Sequence, residues 1–269
     1  MSYKWIDCSN HNPLDQVSID DAKQQGVTGV VFNLLDNYPV AGGLLSQIDL
    51  AIFNGMRIAG YIYLNFPGGR YYREGYEGWE QVQDQLQRVR EYPLEWVALD
   101  CEDPQNNLSP SATVAFIEAS ESSCKAAQRV CRVYTGYYWW VANTATEGAY
   151  RGSTQFSHLP LWNATNDKVP DLNYAGYGGW EYPTMEQYDF NGMIGCQEYD
   201  FNVVKEDDLR TLPLDFQETA ALFRGIAANI PAIFTDDGGT AELVVEGYTS
   251  HPERDTYIIQ IPKGTGRGQ

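Results

Sequence analysis

Short apolar runs alternate with helical stripes along most of the chain. Tyr3 to Asp7 reads as a strand, and Ser18-Ile19-Asp20-Asp21 as the cap of a short helix stopping at Gly26. Val27 to Asn33 is a second strand centred on Val30-Val31-Phe32. Leu44, Leu45, Ile48, Ala51 and Ile52 then have helical spacing up to Gly55. Arg57 to Asn65 predicts a third strand, running into the aromatic loop Phe66 to Tyr72. Trp79, Val82, Leu86 and Val89 share one face of a helix that closes on Pro93. A buried strand follows at Trp96-Val97-Ala98-Leu99-Asp100, then a helix from Ser111 to Ala127 and a strand from Arg129 to Thr135. The next helix carries Tyr137-Tyr138-Trp139-Trp140, and the sixth strand spans Leu159 to Asn163. Met185 to Tyr188 and Ile194 to Asp200 read as the last two strands, joined by a turn at Asp189-Phe190-Asn191-Gly192, and a helix from Lys205 to Leu212 completes the pattern.

Strands separated by helices imply parallel pairing with right-handed crossovers. The expected fold is α/β: a (β/α)8-like barrel over 1–212, its last strands partly hairpin-linked. Residues 213–269 form an extension in which Phe216, Ala220, Leu222, Phe223 and Ile226 suggest a helix. Two strands, Ala241 to Val245 and Thr256 to Ile261, follow around the acidic turn Asp236-Asp237-Gly238-Gly239.

Chemistry enters at the fourth strand. Asp100 and Glu102 stand two positions apart, so both project to one side of an extended chain, with roughly 6.5–7 Å between their Cα atoms. Two carboxylates on one face repel, and the more enclosed one has its pKa raised towards that of a general acid. An acid beside an ionised partner is what glycoside hydrolysis requires. Asp7 and Asp200 also fall at the C-terminal ends of predicted strands, where such barrels build their sites, so four acids converge on one rim.

A net charge of -18 opposes nucleic acid or an anionic membrane surface as partner, and no apolar run reaches membrane-spanning length. The 7 Trp and 19 Tyr suit stacking on sugar rings as well as an ordinary interior. Cys8, Cys101, Cys124, Cys131 and Cys196 show neither disulfide nor metal spacing, and Cys8, Cys101 and Cys196, in predicted strands, read as small buried thiols. His11, His158 and His251 lack metal spacing, Gly68-Gly69 is a turn rather than a phosphate loop, and no nucleophile elbow occurs. No cofactor or metal is expected. Asn163-Ala164-Thr165 is read as a chance glycosylation match.

These motifs resemble the glycoside hydrolase family 25 lysozymes, the Chalaropsis-type muramidases. Asp7-Cys8-Ser9 matches the family's opening Asp-x-Ser and Asp100-Cys101-Glu102 its central Asp-x-Glu. Tyr134-Thr135, Leu161-Trp162-Asn163-Ala164, Trp180, Gln187-Tyr188 and Asp200-Phe201-Asn202 follow in the family's order, so the resemblance covers about Tyr3 to Leu212. It implies cleavage of β-1,4 bonds between N-acetylmuramic acid and N-acetylglucosamine in peptidoglycan. Glu102 would be the general acid, Asp100 its electrostatic neighbour, and Asp7 and Asp200 the acids that bind substrate or orient its 2-acetamido group. Tyr61, Tyr63, Tyr134 and Trp162 are candidate stacking walls, with Gln187 a further substrate-binding candidate. The chain departs from the family at Asn33-Leu34-Leu35-Asp36-Asn37 and at Tyr61-Ile62-Tyr63, where a lysine and an imidazole are absent.

Two function classes follow: a wall-degrading glycosidase, and a non-catalytic carbohydrate-binding or structural virion barrel. A cytoplasmic sugar enzyme is a weaker third reading, motivated only by the missing signal peptide and the reduced-looking cysteines. No signal peptide precedes the first strand, so delivery as a phage lysin or as a tail-associated virion protein is expected. In the latter, 213–269 would dock to other phage structural proteins.

Overall fold

The apolar runs become strands because their β-branched and aromatic residues fill both faces of a sheet. The computed structural model describes residues 2–35, 39–69, 71–104 and 106–205, together with the backbone of the strands at 232–236, 240–246 and 256–262. Eight strands close into a barrel in sequential order. They are β1 (Ser2–Cys8), β2 (Val27–Asn33), β3 (Arg57–Tyr63), β4 (Val97–Asp100), β5 (Cys131–Thr135), β6 (Leu161–Ala164), β7 (Met185–Ile194) and β8 (Gln197–Lys205). Among the described residues five helices cover the outside: α1 (Gln16–Gln24), α2 (Gly43–Phe53), α3 (Gly78–Arg88), α4 (Pro110–Ala126) and α5 (Tyr137–Thr144). Strands β1 to β7 run parallel, whereas β8 is antiparallel to both β7 and β1.

Strand alternation separates two apolar sets. Trp5, Val31, Ala59, Trp96, Ala98, Tyr134, Trp162, Met185 and Val204 fill the barrel, while Ile6, Val30, Phe32, Leu99 and Val133 pack outwards with Ile19, Ile48, Val82 and Ile117. The interior is built on indoles: Trp5 stacks on Trp96 at 5.9 Å, and Trp162 meets Trp96 edge-on at 5.8 Å. Gly29 makes room for them. It lies opposite Trp5 in the β1–β2 register, and a Cβ there would stand 2.3 Å from the indole.

Several expectations are corrected. The cap of α1 is Asp15, whose carboxylate accepts from Ser18 N (2.7 Å) while Ser18 Oγ accepts from Asp15 N (2.9 Å); Ser18 is the reciprocal partner of the capping box, not the cap. Trp79 faces solvent, and α3 turns Val82, Leu86, Gln81 and Gln85 inwards instead. The last hairpin turns at Gly195-Cys196, with Gly195 in the left-handed φ that two-residue turns favour. The segment Asp189 to Gly192 stays within β7, where the register slips, because Met193 and Ile194 still pair with Glu198 and Gln197. Cys196 is thereby exposed, while the other four cysteines are buried; all five are free. No helix lies between β6 and β7 among the described residues. Pro170, Gly176, Gly178, Gly179 and Pro183 interrupt that 165–184 loop.

The chain divides into two compact units, Met1–Thr211 and Leu212–Gln269. The second contains a three-stranded antiparallel sheet, β9 (Ala232–Asp236), β10 (Thr240–Glu246) and β11 (Thr256–Pro262), with β10 central. Only two strands were expected, since Asp236 reads as turn but ends β9. The helices expected at 205–212 and 216–229 lie outside the described residues, except that Lys205 ends β8.

Candidate active site

Strand period two and barrel closure bring the four predicted acids to one rim. Asp100 ends β4, with Tyr63 of β3 and Tyr134 of β5 as its register neighbours. Glu102 follows two residues later, beyond the strand, and is exposed. Asp7 of β1 lies directly across from Asp200 of β8. Asp200 was expected at the end of a strand, but it sits in the first half of β8. Because β8 runs antiparallel, its start is level with the end of β1, and Asp200 still reaches the same rim.

Two side-chain amides lace these acids together. Gln187 Nε2 donates to Asp7 Oδ2 and to Asp200 Oδ2, each at 3.0 Å. Asn202 Nδ2 donates to Asp7 Oδ2 at 2.8 Å, and its Oδ1 accepts from Trp162 Nε1 at 2.8 Å. Indole nitrogen only donates, so this contact fixes which end of the Asn202 amide faces Asp7. Gln187 Oε1 accepts from the Tyr134 hydroxyl at 2.5 Å, and the same hydroxyl lies 3.3 Å from Glu102 Oε2. One continuous chain thus runs from Glu102 through Tyr134 and Gln187 to Asp7 and Asp200.

Burial sets the protonation of the site. Asp7, 6% exposed, is held well above the usual carboxylate range, first by desolvation and then by Asp200; the Asn202 and Gln187 amides oppose this without reversing it. Asp100, 3% exposed, is raised in the same way by desolvation, then by Glu102 and Asp7, and its Oδ1 has no hydrogen-bond partner. Glu102 is also raised by desolvation, against the Tyr134 hydrogen bond. Asp200 is pushed up to about 7 by desolvation and the Glu102 charge. The more enclosed member of the Asp100–Glu102 pair is therefore Asp100, while the member that substrate can reach is Glu102. Enclosure and access, expected on one residue, fall on two.

The aromatic candidates divide similarly. Trp162 is only 2% exposed and packs edge-on against Tyr134 at 4.6 Å, so both rings belong to the barrel filling and neither offers a stacking face. Gln187, also buried, contacts the acids rather than open space. Tyr61 and Tyr63 are half-buried at the rim and keep part of their rings accessible. The Tyr63 hydroxyl is kept neutral by desolvation and by Asp103, Asp100 and Glu102. Asn202, from the Asp200-Phe201-Asn202 motif, also belongs to the site, through its amide contact with Asp7. Its spacing of two from Asp200 on a strand is the signal that places it on the same inward face. His11 is exposed, His158 pairs with Glu121 at 2.8 Å, and His251 lies outside the described residues, as do Asp36 and Asn37. Asn163 is buried and accepts from the Tyr177 hydroxyl, so its acceptor motif is closed to modification.

Fold and rim together define an α/β barrel with four interacting carboxyls at one mouth. No family model matches the chain. It is 35% identical over 112 residues to a protein named probable GH family 25 lysozyme 2 of Dictyostelium discoideum, covering 41% of this chain and 49% of that protein. The chain thus spans about half the length of the curated relatives it matches. A GH25 lysozyme structure from Aspergillus fumigatus superposes with a TM-score of 0.60 at 20% identity, over 82% of this chain and 99% of that one. The Clostridium perfringens spore cortex lytic enzyme SleM gives 0.59 at 15% identity, over 98% and 90% of the two chains. The chain is thus similar in sequence, over part of its length, to proteins named GH family 25 lysozymes, and it shares the barrel fold of the solved structures.

Proposed function

We propose that the barrel is a muramidase, hydrolysing β-1,4 bonds between N-acetylmuramic acid and N-acetylglucosamine in peptidoglycan. The observation that carries this reading is Glu102: a solvent-reachable carboxyl whose pKa is raised, standing over a buried set of acids held by Gln187 and Asn202. A raised pKa keeps it protonated until a glycosidic oxygen needs its proton. As the C1–O bond breaks, Glu102 protonates the departing oxygen and becomes a carboxylate. Positive charge grows on the ring at the same time, and Asp200, which ionises near neutral pH, offsets it. Water adds to C1 and returns a proton to the rim, leaving a new reducing end. Asp100 and Asp7, more deeply buried, act as neutral acids whose fixed dipoles line the floor. Tyr61 and Tyr63 supply the accessible ring surface for sugars. The test is release of reducing ends from purified peptidoglycan, with mass spectrometry to identify the sugar at each new end. N-acetylglucosamine at the new reducing end would assign the wrong bond.

We also read the unit from Leu212 onwards as the docking segment of a phage tail-associated hydrolase. Its β9 and β11 are edge strands of their own sheet and suit strand addition to a partner. Removal of 213–269 should leave the barrel folded and active on isolated wall but lose the protein from purified particles.

A further inference from the structure

Away from the rim acids, the 165–184 loop folds back on β7 and gathers three carboxylates that sequence spacing alone does not reveal. Asp167, Asp171 and Glu186 each offer an oxygen, and the three oxygens all lie within 4.8 Å of one another. Asp167 and Asp171 face solvent, whereas Glu186, in β7, is 0% exposed. Each carboxylate is oriented by a backbone N–H: Val169 N donates to Asp167 Oδ1 (2.9 Å), Asn173 N to Asp171 Oδ1 (2.9 Å) and Leu172 N to Glu186 Oε2 (2.7 Å). The second Glu186 oxygen, Oε1, is buried with no hydrogen-bond partner. A buried carboxylate oxygen left unpaired beside two further carboxylates is costly unless a proton or a cation completes it. The neighbouring ammonium does not do so, because Lys168 Nζ is engaged by Asp189.

We infer that Asp167, Asp171 and Glu186 bind a divalent cation of the Ca2+ type. Oxygens around Ca2+ lie roughly 2.3–2.6 Å from the ion, so ligands on one sphere stand at most about 4.6–5.2 Å apart, and the trio fits within that span. Mg2+, at about 2.0–2.1 Å, demands a tighter and more regular set. Ca2+ takes 6–8 oxygens, so water and loop carbonyls would complete the shell. The ion would fasten the loop behind the candidate active site. Glu186 adjoins Gln187, and Thr165 N already donates to the Gln187 carbonyl at 3.1 Å.

The test uses the full chain, stripped with EDTA and titrated with CaCl2 by calorimetry and by thermal melting. One saturable Ca2+ site is expected, with Tm rising roughly 3–6 °C at tenfold excess over Kd. Asp171→Asn, an exposed and fold-neutral change, should weaken Kd at least tenfold, while Glu147→Gln, which removes an exposed charge elsewhere, should leave it unchanged. MgCl2 should bind more weakly than CaCl2. The inference is overturned if no heat and no Tm shift appear at about 10 mM Ca2+, roughly tenfold above the weak end of extracellular sites. It is equally overturned if Asp171→Asn and Glu147→Gln behave alike, since binding would then be diffuse attraction to an acidic surface. Both readouts are independent of wall hydrolysis, so the outcome stands whether or not the barrel proves to be a muramidase.

Discussion

Asp200→Asn should make the protein more stable, by an amount that depends on pH. The Asp200 carboxyl titrates near 7 in the folded chain against an ordinary value of 3.8. Folding therefore favours its protonated form. Well below its ordinary value of 3.8 it is neutral in both states and carries no penalty; as pH rises through that value towards 7 the unfolded chain gains a solvated carboxylate that the fold resists, and stability is lost. The difference of about three pKa units corresponds to about 4 kcal/mol at full effect, about 1.7 at pH 5 and about 0.5 at pH 4. Asp200 is only half-buried, so roughly 2–4 kcal/mol is the working range above pH 7. Asparagine removes the ionisation but keeps an oxygen to accept from Gln187 Nε2, which the wild type places at 3.0 Å. For a chain of this size the gain is a Tm increase of roughly 5–15 °C at pH 8, fading to almost nothing at pH 4. Melting curves of both proteins across that range decide the matter. Parallel curves, or a variant less stable at pH 8, would refute the reasoning that burial dominates this site.

Other outcomes follow from the same structure. Gly29→Ala should cost about 2–3 kcal/mol or more, seen as a lowered denaturant midpoint, because its Cβ meets the Trp5 indole at 2.3 Å in a filled barrel. Asn202→Ala strands the Trp162 N–H and removes one of the two amides on Asp7; a stability loss of about 1–3 kcal/mol and a lowered kcat are expected, and an unchanged Tm would contradict the network. Tyr61→Ala should raise KM several-fold for glycan while leaving kcat nearly unchanged, since uniform binding is lost without transition-state contacts. Gel filtration and circular dichroism should show that variant to be folded.

Much of this arrangement is legible in the chain before any coordinates. Period two along Trp96, Ala98, Asp100 and Glu102 predicts which side chains turn inwards, and the same rule places Asp7. Alternating strands and helices give the barrel through β6. Legibility fails where tertiary pairing overrides local signals. The Asn191-Gly192 dipeptide reads as a hairpin turn, yet the strand continues to Ile194 because its pairing with β8 outweighs the local preference. That continuation moves Asp200 from the end of a strand to the beginning of one. The sense of β8 compensates, so the site survives a mistaken boundary. Trp162 and Tyr134 look like sugar platforms because aromatic side chains serve cores and surfaces equally well, and only burial separates the two. The role of Gln187 depends on contacts 180 and 13 residues away in the chain, a juxtaposition no local pattern encodes. Asp167, Asp171 and Glu186 are invisible for the same reason.

Glu102 is the proposed proton donor for glycoside cleavage. The most direct measurement of that role compares initial rates of reducing-end release from purified peptidoglycan by the wild type and by Glu102→Gln, with Tm measured on both. Steady release by the wild type is expected, with a loss of at least about a thousandfold, in the range attributed to general acid catalysis, in a variant that melts at or above the wild-type temperature. A variant within tenfold of wild type would remove Glu102 from the chemistry, and a folded wild type that binds the glycan but releases no ends would mark the barrel as a binding module.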